Sequence, residues 1–199
     1  MILLMPLTPR RSILIGSATV VMVLVGGMVA DSKRRNYSDR LPAVGAAVPE
    51  FDLPLINGGR LSSASLRGQL AVLALWSTDC SASRLALDGL AAVQEAYAPR
   101  GVVVAILAAD LDADLLVSFM NRAGVSLPVA YAEGELHALF DATRRPWQKR
   151  FPLPSFLVVD SGGRVKALTF GAPLKEVQSG EVELEHLRAA IDRVLLETQ

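Results

Sequence analysis

Leu70-Ala71-Val72-Leu73-Ala74-Leu75-Trp76-Ser77-Thr78-Asp79-Cys80-Ser81-Ala82-Ser83-Arg84 is the stretch that decides how this chain is built. Leu70 to Trp76 is a near-continuous apolar run of strand length, the pattern of a strand buried on both faces. A short polar turn follows. From Ser81 to about Tyr97 the residues Leu85, Leu87, Leu90, Ala91, Val93 and Tyr97 recur at helical spacing. Cys80, the chain's one cysteine, therefore stands between a core strand and the first turn of a helix. A thiol at a helix N-terminus is a candidate nucleophile, because the free N–H groups there favour negative charge.

With a single cysteine no internal disulfide can form, so the core holds without a covalent staple. A lone thiol can still attack a disulfide and form a mixed disulfide, which an external thiol must release. It can also be oxidised to a sulfenic acid. The bland alternative is a small, inert core cysteine. Ser83, one helical turn on, either hydrogen-bonds the sulfur or satisfies backbone donors of the first turn; the second is the expectation.

Outward from this stretch, Pro49 to Leu55 alternates as a short edge strand whose prolines bar a central position. Asn57-Gly58-Gly59 turns into a second short strand, and Leu61 to Gly68 closes as a helical turn. Val102 to Leu107 is another buried strand, and Asp110 to Asn121 an amphipathic helix capped by Gly124. Leu127 to Tyr131 is extended, and a weak helical pattern runs through Leu136, Leu139 and Phe140. Phe156 to Asp160, the turn Ser161-Gly162-Gly163-Arg164, and Val165 to Phe170 form a hairpin. Val182 to Leu196 closes the chain as a helix with Leu184, Leu187, Ile191, Val194 and Leu195 on one face. The order predicts an α/β fold, a mixed central sheet flanked by helices.

Ser12 to Ala30 carries no charge, and its run of about 19 residues nearly crosses a hydrocarbon core of roughly 30 Å. It is longer than the apolar core of a signal peptide, and Met28 suits a cleavage site poorly, so it reads as an N-terminal transmembrane anchor. Residues 1–30 are accordingly the anchor (a signal sequence being the alternative), 31–47 a polar tether, and 48–199 the globular domain. Four basic residues follow the span against two before it, a count that points the domain toward the cytoplasm. Lys+Arg and Asp+Glu balance at 20 each, which gives nucleic acid no field to bind. His137 and His186 have no partners at metal-ligand spacing, so neither a metal nor a cofactor is expected.

Four local motifs resemble the thioredoxin fold, and within it the membrane-tethered TlpA/ResA-like thiol-disulfide oxidoreductases. Gly45-Ala46-Ala47-Val48-Pro49-Glu50-Phe51-Asp52-Leu53 is similar to that branch's opening motif, and Leu75 to Arg84 to its F-W-A-T-W-C-x-x-C-R signature. Leu153-Pro154-Ser155-Phe156-Leu157-Val158-Val159-Asp160 is similar to its P-T-x-F-L-I-D strand, and Ser161 to Val165 to its following hairpin. The resemblance implies Cys80 as the reactive residue, Trp76, Asp79 and Ser83 as supporting positions, and Pro154 as the cis-proline of a groove for extended peptides. Pro152 is the competing proline. It also implies protein thiols or disulfides as partners, a redox partner protein, and an extracytoplasmic location, against the charge count.

The chain departs from the pattern at the active-site helix. Ser83 replaces the resolving cysteine, Asp79 an aromatic residue, Ser81-Ala82 the Gly-Pro insert, Ala86 a glutamate and Asp88 a proline. Two functions follow from this: a monothiol oxidoreductase acting through Cys80, or a redox-silent binding module that keeps the groove without the chemistry. A peroxiredoxin, the nearest other enzyme, needs proline at position 73, where this chain has Leu73, and an arginine absent between Leu153 and Asp160. Trp147 reads either as a cover for the site's mouth or as a cap on the fold.

Overall fold

The computed structural model describes residues 42–132, Leu136, Phe140, 153–171 and 184–197. The proposed anchor, His137, Trp147 and Pro152 lie outside the described residues, and among those described no helix is long and apolar enough to cross a membrane. A hairpin of β1 (Asp52–Pro54) and β2 (Arg60–Ser62) leads to β3 (Leu70–Trp76) and the long helix α1 (Ser81–Tyr97). Then come β4 (Val102–Ala108), α2 (Ala113–Ala123), β5 (Val129–Tyr131), β6 (Ser155–Val159), β7 (Val165–Phe170) and α3 (Glu185–Glu197). The main sheet has the order β5-β4-β3-β6-β7. β3, β4 and β5 run parallel, and β6 lies antiparallel to both its neighbours β3 and β7, so the sheet is mixed, as the element order predicts.

β3 is central and every one of its residues is buried, which is why its sequence shows no alternation. Its side chains divide between two cores. Val72, Ala74 and Trp76 face α1, α2 and α3 (Leu90, Leu116 and Leu187 among their neighbours), while Ala71, Leu73 and Leu75 face the β1–β2 hairpin, Leu136 and Phe140. Two consecutive parallel crossovers in one direction, β3–α1–β4 and β4–α2–β5, place α1 and α2 on the same face.

Local chemistry sets the element ends. α1 gives way to a 3₁₀ turn at Ala98–Arg100, and Gly101 at φ 76° ends it. Tyr97 donates its hydroxyl proton to Asp192 at 3.0 Å, tying the end of α1 to α3. α2 starts at Ala113 rather than at Asp110, because the Asp112 side chain caps it by accepting from Leu115 N–H at 3.0 Å. Beyond the short β5, the edge of β4 is satisfied by Gln94, whose amide donates to Val102 O and accepts from Val104 N.

Neither edge of the main sheet is wholly bare. Leu55 bridges Ala130, and Ile56 N–H reaches Val129 O at 3.0 Å. At the other edge Gly45 N–H donates to Val165 O at 2.7 Å and Val48 N–H to Gly163 O at 3.0 Å. The last residues assigned to the tether, Gly45 to Ala47, are therefore already paired with the β6–β7 turn.

That turn needs Gly163, which sits at φ 74°, and a Cβ there would fall 2.6 Å from the Arg67 guanidinium carbon. Arg67 in turn donates to Gly162 O. Gly163→Ala is expected to cost about 1–2 kcal/mol from backbone strain alone, read as a lower urea midpoint at unchanged slope. An unshifted midpoint would contradict the turn geometry.

Candidate functional site

Cys80 is the N-cap of α1, with extended backbone (φ −98°, ψ 116°), and its carbonyl accepts from Arg84 N–H at 3.0 Å. Its side chain does not cap the helix. Instead Sγ donates across the molecule to Leu153 O at 3.3 Å. The Leu153–Pro154 peptide bond is cis, and Pro154 is buried at the head of β6. The thiol is partly exposed. The sulfur and the proline bend that the sequence singled out lie together at one end of the sheet; the competing Pro152 lies outside the described residues.

The loop between β3 and Cys80 is held by several hydrogen bonds. Ser77 O accepts from Cys80 N–H at 3.3 Å, and Ser77 Oγ accepts from Asp79 N–H at 3.1 Å. Thr78 is held three ways. Its N–H (2.9 Å) and its hydroxyl both donate to Asp110 Oδ1, and its carbonyl accepts from the Arg84 guanidinium. Asp79 itself is exposed at the mouth.

Trp76 is fully buried beneath the first turn of α1 rather than at the mouth. Its indole N–H donates to Ser83 O, and its ring is tilted against Phe119 of α2, centroids 5.7 Å apart. It is a strut between two helices. Ser83 is also fully buried, and its Oγ has no hydrogen-bond partner. The expectation that it satisfies first-turn donors is not met, nor does its hydroxyl bond the thiol. The side chain leaves a buried polar atom idle.

Asp110 is the residue that sequence reading missed. It follows β4 and is only 3% exposed. Its Oδ2 is buried without a partner. Burial raises its carboxyl above the ordinary aspartate range; the Thr78 hydrogen bonds oppose this, and the nearby Asp79 charge adds to it. The signal available in the sequence is an acid set directly after the apolar run Val102–Ala109, before the true cap at Asp112. Of the two histidines, His186 lies on α3 beside Phe156, ring centroids 6.3 Å apart. Among the described residues no group of three potential metal ligands comes together.

The arrangement can hold a partly exposed thiol, with a polar, well-anchored loop behind it and a main-chain carbonyl in front. Comparisons with known proteins bear on the fold and the family. The AhpC/TSA family matches residues 44–168. The thiol-disulfide oxidoreductase ResA of Bacillus anthracis is 25% identical over 84% of this chain and 89% of its own length. The thioredoxin-like protein YneN of Bacillus subtilis is 19% identical over 84% and 96%. Among solved structures, a thiol:disulfide interchange protein of the thioredoxin family from Chlorobium tepidum superposes with a TM-score of 0.58. It is 23% identical over 78% of this chain and 97% of its own. A DsbF homologue from Corynebacterium diphtheriae gives a TM-score of 0.59 at 19% identity, over 74% and 86%. These likenesses fix the fold as thioredoxin-like.

Because Ser83 Oγ has no bond to lose, a sulfur at that position meets no competing partner. Ser83→Cys is expected to close a disulfide with Cys80 on mild oxidation, so that two thiols titrate in the reduced protein and none in the oxidised one. Two free thiols persisting in the folded, oxidised variant would contradict the placement of Ser83 behind Cys80.

Proposed function

The chain belongs to the AhpC/TSA family, on the ResA/TlpA-like branch of the thioredoxin-like superfamily, and we propose that it exchanges protein thiols and disulfides as a monothiol through Cys80. The observation that carries this reading is the partly exposed Cys80 thiol at the head of α1, 3.3 Å from Leu153 O. In the first step the Cys80 thiolate attacks one sulfur of a client disulfide. A new S–S bond forms to Cys80, and the other client sulfur leaves as a thiolate. With no second cysteine in the chain, the mixed disulfide waits for an external thiol, which takes the client sulfur and returns Cys80 as a thiolate.

Leu153 and Pro154 line the side from which a client would approach, and an extended client strand laid there can pair with main-chain groups. The proposal includes residues 12–30 as a single membrane anchor that holds the domain on the extracytoplasmic side, where disulfides persist. A second reading, a redox-silent binding module, is favoured by Ser83, whose buried hydroxyl takes the place of the resolving sulfur.

One experiment separates these readings. Intact cells and lysates are treated with a membrane-impermeant peptide disulfide, and the protein is analysed by mass spectrometry. The expected result is one peptide adduct at Cys80 in both samples, stable until an external thiol is added and absent from Cys80→Ala. An adduct in lysate alone contradicts the extracytoplasmic placement. No adduct in either, from folded protein, contradicts the exchange chemistry and leaves the binding module.

A further inference from the structure

Among the described residues, the loop 77–79 that precedes the nucleophile has one hydrogen-bonded tether outside itself and the first turn of α1, while Cys80 itself reaches Leu153 O. Ser77 bonds Asp79 and Cys80 within the loop, and Arg84 reaches back to Thr78 O from that same first turn. Among the described residues only Asp110, just after the end of β4, fixes Thr78 to the rest of the fold. It does so with a single oxygen, which receives both the N–H and the hydroxyl of Thr78. The parallel pairing of Trp76 with Ala108, and the bond from Ala109 N–H to Trp76 O at 2.8 Å, bring the two segments into reach.

The other oxygen is unusual. Oδ2 is buried, and no donor among the described residues meets it, although a buried oxygen left unpaired forfeits its hydration. A neutral amide would serve Thr78 equally well, so the clamp alone does not call for an acid. We propose that Asp110 is a positioning residue for Cys80: through Thr78 it holds the thiol at Leu153, and its own charge sets how readily that thiol reacts. This inference rests on the exchange chemistry proposed above.

The sign follows from the like-charge effect. When Asp110 is ionised, a second negative charge on Cys80, two residues beyond the clamped Thr78, is disfavoured; when Asp110 is protonated on Oδ2, that penalty is gone. Its carboxyl is raised by burial, so the change falls above the ordinary aspartate range. The other ionisable groups on the elements around the clamp are Asp79 on the loop, Arg84 on α1, and Asp112 and Asp114 at the start of α2. Asp79 is exposed and raises Asp110 further; Arg84 is spent on Thr78 O rather than on the carboxylate.

The test measures Cys80 alkylation against pH, and mixed-disulfide formation with a peptide disulfide, in the full-length wild type, Asp110→Asn and Asp110→Ala. Asp110→Asn keeps the acceptor oxygen and removes the charge. It is expected to alkylate faster than wild type at neutral pH and to lose the lower of two inflections in the pH profile. Asp110→Ala removes the clamp as well, and is expected to attack the peptide disulfide at least about tenfold more slowly than Asp110→Asn, on the scale at which small misplacements slow catalysis. A wild-type profile unchanged in Asp110→Asn, or equal exchange rates in the two variants, overturns this inference while leaving Cys80 chemistry standing. A wild-type Cys80 that reacts with neither reagent overturns both.

Discussion

The antiparallel register of β3 on β6 is the constraint from which the site follows. Leu75 lies opposite Ser155 at the last pair of that ladder. One step further, β6 has not yet begun and the chain is at Pro154, while β3 runs on to Trp76 and into the polar loop. The end of one strand and the start of the other therefore meet at the same end of the sheet, and Sγ reaches the Leu153 carbonyl across 73 residues of sequence. Both strands are buried throughout, so a slip of one residue would carry Phe156 from the α1–α3 side to the hairpin side and empty both cores. The position of the thiol is thus set by hydrophobic burial far larger than any polar contact in the site itself.

Polar satisfaction around that thiol is uneven. Thr78 has all its polar groups engaged, whereas Ser83 Oγ and Asp110 Oδ2 are buried with none. Buried polar groups without partners are uncommon in folded proteins because each forfeits its hydration. Two of the four such atoms among the described residues flank the cysteine, on either side of its loop. Ala at 83 would remove one idle polar atom without losing a hydrogen bond, and an apolar residue at 110 would remove the other. The presence of Ser83 and Asp110 marks the segment as one shaped by something other than packing, whichever function it serves.

What could be read from the sequence was whatever depends on local pattern. Leu70–Trp76 and Val102–Ala108 are recognisable because strands buried on both faces leave unbroken apolar runs. Cys80 and Pro154 could be paired only through the resemblance of their two motifs to one family, since no local pattern links them. Asp110 could not, because its role depends on the parallel register between β3 and β4, which no local window contains. Read locally, it is an acid at the start of a helix, and the true cap two residues later made that reading natural. Ser83 failed differently: a serine in a first turn ordinarily finds a donor, but here the Trp76 indole takes the nearby carbonyl and α1 buries the hydroxyl face.

The account stands most directly on where a client lies once it is joined to the sulfur. A crystal structure of the protein carrying a short peptide in mixed disulfide with Cys80 tests this. The account predicts an extended peptide running past Pro154, its main chain hydrogen-bonded to that segment and its sulfur within reach of the Thr78 loop. A peptide held only by its S–S bond, with the Leu153–Pro154 bend uncovered or the Cys80 side chain turned away from it, would contradict the account.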